Sequence, residues 1–123
     1  MRTLTLSTLA AACLLSTSVF ASSPLSGCSD ADSDLAKVFY DRIEASYTQG
    51  NTSLLELKSA ETAYLDVQVC AGKIDSAAFC ARKEAAIQKM LEIYKAGGSI
   101  GSQSADSPFA ALKQLAALRT SCQ

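Results

Sequence analysis

The chain has 123 residues, 11 basic and 12 acidic side chains, a net charge of −1 and no histidine. A near-neutral chain gives no electrostatic basis for binding nucleic acid or an anionic membrane surface. Lacking histidine, it also lacks the commonest general base, the usual nucleophilic triads and the commonest ligand of catalytic metals.

The first segment reads as a signal peptide over residues 1–21. Met1-Arg2 supplies one positive charge and Leu4 to Ala21 is an apolar run broken only by Ser and Thr. Val19-Phe20-Ala21 then presents a peptidase cleavage site. Cleavage there leaves 102 residues, enough for one small domain with one core. No later stretch approaches the length of a membrane span.

Residues 22–32 form a lead-in containing Leu25-Ser26-Gly27-Cys28, the pattern of a bacterial lipobox. Two fates for Cys28 follow: a lipid-bearing first residue, or one half of a disulfide in a soluble exported protein. Ser22-Ser23-Pro24 separates the pattern from the apolar run, whereas the Ala21 site lies flush with it. That placement favours the disulfide.

Four helices are expected over residues 33–123, with no strand pattern. The first spans about Ser33 to Gln49. Asp30, Asp32 and Asp34 crowd its start, where carboxylates suit the helix dipole and free backbone N–H groups. Leu35, Phe39, Ile43 and Tyr47, with Val38 beside them, make its apolar stripe, and Gly50 ends it. The second opens on a capping box, Ser53-Leu54-Leu55-Glu56, and carries a seam of Leu57, Ala60, Tyr64, Val67 and Ala71 before Gly72. The third is capped by Asp75 or Ser76 and continues to Ala96. Phe79, Ala86, Met90 and Ile93 form one row on it, and Cys80, Ile87, Leu91 and Tyr94 the adjacent row. Residues 97–106 form a Gly/Ser-rich loop expected to be mobile. Ser107-Pro108 restarts helix, with Ala111, Leu115, Leu118 and Cys122 inward and Leu112 alongside. Short connections favour antiparallel neighbours, so the expected fold is an all-α, up-down four-helix bundle.

Cys13 falls within the signal peptide, leaving Cys28, Cys70, Cys80 and Cys122. In an up-down bundle the start of helix one, end of two, start of three and end of four share one pole, so all four thiols gather there. An even count in an exported small domain predicts two disulfides stapling that pole. Three pairings are possible. The favoured one joins Cys70 to Cys80 across the central turn and Cys28 to Cys122 at the chain ends. Zinc is the lesser reading, because close CxxC pairs are missing.

Asp41 with Glu44, and Glu61 with Asp66, are the available carboxylate pairs, and each is better explained as a solvated helix face. No catalytic, cofactor-binding or metal-ligating residue is therefore assigned. Asn51-Thr52-Ser53 fits the N-glycosylation acceptor pattern, although a turn and a helix cap account for the same residues. The charges are unevenly placed: residues 22–72 hold three basic and eight acidic side chains, and residues 73–123 hold seven and four. Either the halves complement each other within one chain, or the chain forms a homodimer.

Tyr47 to Glu61, continuing through Tyr64-Leu65-Asp66-Val67-Gln68, resembles a helical stretch of TolC-type outer-membrane efflux proteins. In that family a tyrosine, a glycine and a Leu-Glu-Leu-like start open a long coiled-coil helix. The chain is too short for the family's helical barrel and has no membrane strands, so channel activity is not implied. The resemblance implies an envelope protein with a similar helix-packing surface. The expected function is thus that of an exported, periplasmic or secreted, non-catalytic protein that binds another protein, such as an inhibitor, an immunity-type factor or an envelope accessory. The alternative is an outer-membrane lipoprotein anchored through Cys28, with a structural or efflux-accessory role.

Overall fold

A computed structural model describes residues 27–97 and 107–123. The expected signal peptide, most of the lead-in and loop residues 98–106 lie outside the described residues. Four α-helices make up the fold: α1 (Asp30–Thr48), α2 (Leu54–Cys70), α3 (Ser76–Lys95) and α4 (Ser107–Ser121). No strand occurs among the described residues, so the all-α expectation holds. No helix among them is long and apolar enough to cross a membrane.

The helix boundaries follow from local chemistry. α1 starts three residues before the expected Ser33, because Ser29 and Asp32 form a complete capping box. The Asp32 backbone N–H donates to Ser29 Oγ at 3.2 Å, and the Ser29 backbone N–H donates to Asp32 Oδ2 at 2.8 Å. Ser53 accepts from the Glu56 N–H at 3.1 Å to open α2. Asp75, one of the two expected caps, accepts from the Ala78 N–H at 2.8 Å to open α3. Pro108 sits in the first turn of α4, where a missing N–H costs no hydrogen bond.

α1 and α2 both end in Schellman motifs. Gly50 (φ 82°) and Gly72 (φ 72°) occupy the left-handed position. The N–H of the following residue then reaches back to the third-last helical carbonyl: Asn51 to Ser46 at 2.9 Å, and Lys73 to Gln68 at 2.8 Å. Asn51 and Ser53 of the glycosylation pattern thereby serve as a helix-terminating residue and a helix cap.

Extensive packing is sequential: α1 lies on α2, α2 on α3, and α3 on α4. The main core joins Leu55 of α2, Ile87, Met90 and Tyr94 of α3, and Ala111, Leu115 and Leu118 of α4. Phe79, Leu91 and Ile93 pack against it half-buried. Both expected rows of α3 and Ala111, Leu115 and Leu118 of the α4 inner face are thus confirmed, whereas Leu112 is half-exposed and Cys122, expected inward, is exposed just past the end of α4.

α1 contributes nothing to that core, and here the expectation fails. Leu35 and Phe39, the first half of its apolar row, are each 53% exposed. A helix turns about 100° per residue, so a strict four-residue row drifts about 40° at each step. The row winds around the helix instead of lining one face. α1 meets α2 through smaller and more polar groups. The Gln68 amide donates to the buried Ser33 hydroxyl at 2.8 Å, and Tyr40 stacks on Tyr64 with ring centroids 5.0 Å apart.

The four cysteines form two disulfides, but in a different pairing from the one favoured above. Cys28 bonds Cys70, and Cys80 bonds Cys122. Each bond spans 42 residues and closes the open end of one helical hairpin, α1–α2 or α3–α4. The reason is the neighbour order. Helix α1 keeps to α2 and helix α4 to α3, so the chain-end cysteines each meet the helix beside them rather than one another.

Candidate functional site

Three of the four carboxylates of the expected pairs, Asp41, Glu61 and Asp66, are tied to cations. Asp41 accepts from Lys37 at 2.7 Å on the exposed side of α1. Glu61 holds Lys58 at 3.1 Å along α2, whereas Asp66 reaches across to Lys83 of α3 at 2.6 Å. Glu61 and Asp66 therefore serve different partners, one within a helix and one between helices. All four cysteines among the described residues are in disulfides, which leaves no thiolate among those residues to ligate zinc. Asn51 is exposed in the α1–α2 turn.

The charge asymmetry is partly spent inside the chain. Lys83 on Asp66 joins the basic half to the acidic half, and so does Lys73 on Asp30 at 3.1 Å. A third bridge, Arg119 to Glu84 at 2.8 Å, stays within the α3–α4 hairpin. That pair flanks a surface hollow beside the Cys80–Cys122 bond, where the two charges neutralise each other.

The feature that packing leaves unexplained is apolar. Leu35, Val38 and Phe39 form a patch on the outer face of α1, more than two-fifths exposed at every position. A groove of about 270 Å³ runs beside it between α1 and α2, lined by Ala36, Phe39, Tyr40, Ala60, Tyr64 and Val67. A second groove of about 440 Å³ extends toward Gly27 and Cys28 and shares Ala36, Phe39 and Val67 with the first. The expected α2 seam of Ala60, Tyr64 and Val67 therefore faces α1 across this groove. Leu55 and Leu65, buried elsewhere on α2, lay outside that expected seam.

Carboxylates frame the patch. By helical position Asp32 lies on one side and Asp34 and Asp41 on the other, with Arg42 among the apolar residues. Asp32 is held below the ordinary carboxylate range, first by the Ser29 backbone N–H and then by its hydroxyl. Asp41 raises Lys37 by accepting its hydrogen bond and by its charge. Burial against α2 pushes the Tyr40 hydroxyl upward, reinforced by Glu61 and Glu44.

No family model, curated protein or solved structure matches the chain.

Proposed function

We propose that this is an exported, non-catalytic helical protein that acts by binding a protein partner through the outer face of α1 and the α1–α2 groove. The observation that carries the reading is the exposure of Leu35, Val38 and Phe39 on a helix whose own packing uses other residues. An apolar patch beside a groove and rimmed by charge has the composition of a docking site. A helix-in-groove contact suits its shape.

Two disulfides support an oxidising compartment, hence periplasm or secretion. The bond to Cys70 also supports the free form over the lipoprotein alternative, because an anchored Cys28 needs the same sulfur and would leave Cys70 unpaired. The likeness of residues 47–68 to an efflux-protein helix is consistent with work in the cell envelope, as an accessory factor or inhibitor.

A photo-crosslinking side chain placed at position 39 in the exporting cell tests the reading. The expected result is a protein adduct from position 39 and from position 35, and none from position 37 on another side of α1. Equal yields from all three, or none from 35 and 39, would refute it.

A further inference from the structure

We infer that the outer face of α1 pairs with the outer face of α4 from a second copy of the same chain, giving a closed dimer with two identical α1–α4 seams. This rests on the reading of α1 as a docking face and names its occupant.

Helix α4 is the second element with an uncovered apolar surface. Phe109 is 65% exposed and Leu112 50% exposed, on the side away from the buried Ala111, Leu115 and Leu118. By helical position, Phe109, Leu112 and Ala116 form a short stripe flanked by Lys113 and Arg119. α4 carries those two basic residues and no acidic one, whereas α1 carries five acidic and two basic residues. Arg119 is already neutralised by Glu84, and Asp41 by Lys37, so the complementary rim charges are Asp34 on the α1 stripe and Lys113 on the α4 stripe.

Alternative pairings fit less well. Joining α1 to α1 would bring Asp34 toward its own copy, and α4 to α4 would do the same for Lys113, both repulsive. Among the described residues neither Lys113 nor Asp34 holds an ion pair, which suits both to such a contact. Within one chain the two helices cannot supply it, because α1 packs on α2 and α4 on α3. A single seam of two or three turns falls short of the roughly 1,000 Å² that a stable interface needs. Two-fold symmetry makes the same seam twice and closes the assembly.

Sedimentation equilibrium of the mature, oxidised chain tests this across a concentration series at low and high salt. The expected species is a dimer whose dissociation constant rises with salt. Phe39→Asp should weaken it by more than about tenfold, as loss of a central aromatic anchor does. Lys113→Glu and Asp34→Lys should each weaken it, and the two together should restore it. Circular dichroism of each variant must show the wild-type helix content.

A chain monomeric at every concentration overturns the inference. So does a dimer indifferent to Phe39 and Lys113, or an open series of ever larger species. If the chain is monomeric while position 39 still crosslinks a protein of different mass, α1 docking stands and self-pairing falls. If position 39 crosslinks nothing, both fall.

Discussion

At Ile87 and Leu65 the side chains have no exposed surface, and at Phe39 half of the ring meets solvent. That contrast sorts substitutions. Ile87→Ala should cost roughly 2–5 kcal/mol, since a sealed site cannot refill the lost volume. Leu57→Ala belongs in the same range, because Leu57 is buried. Leu91→Ala should cost less, because Leu91 only borders the core. Phe39→Asp should leave stability within about 0.5 kcal/mol, as an exposed site does. Urea melts of the four variants check the order. A large loss at Phe39 in melts at a dilution where the chain is monomeric would mean that α1 is buried by its own chain. At this scale the α3 and α4 rows were legible in the sequence, because their large apolar residues recur near the helical period. The α1 contact was not. On the α1 side it uses Ser33 and Tyr40, which a search for aliphatic rows passes over, although Tyr64 opposite them was in the expected α2 seam.

Individual helices are held at their ends by single residues. Ser53→Ala or Asp75→Ala should each cost about 0.5–2 kcal/mol, measurable as a lower Tm, since each removes the acceptor for a free helical N–H. These caps and the glycine stops could be read from the sequence because they depend on neighbours within four residues. Titration adds two signs. The Asp32 pKa is lowered in the fold, so its cap contributes at neutral pH and is lost as pH falls through that lowered value, below the ordinary 3.8. The Tyr40 pKa is raised. Its contribution is therefore complete below the ordinary 10.0 and disappears as pH rises through the folded value. Phenolate absorbance should show Tyr40 ionising late, as a component that Tyr40→Phe removes. An unchanged titration would place the perturbed hydroxyl elsewhere.

Over the whole molecule, the two disulfides do unequal work although each closes a loop of the same length. The entropic benefit should be alike, about 2–4 kcal/mol for each. The native contacts they secure differ. Opening Cys80–Cys122 loosens α4, which supplies Ala111, Leu115 and Leu118 to the core. Opening Cys28–Cys70 loosens α1, which lies outside it. Replacing Cys80 and Cys122 with Ser should therefore lower Tm further than replacing Cys28 and Cys70. The second variant should instead show faster amide exchange confined to α1. Equal losses would mean that α1 belongs to the cooperative core. The gathering of four cysteines at one pole was readable from helix order alone. Their pairing was not, because it depends on α1 and α4 each keeping a single main neighbour, which no local pattern records.

Hydroxyl-radical footprinting tests the central claim most directly, comparing dilute purified protein with the protein in its native cell. The account predicts ready oxidation of Leu35, Val38 and Phe39 in the dilute sample and their protection at work, with Ile87 protected in both. Protection of the α1 patch in the isolated chain at a dilution where it is monomeric would contradict it, and so would equal oxidation in the two settings.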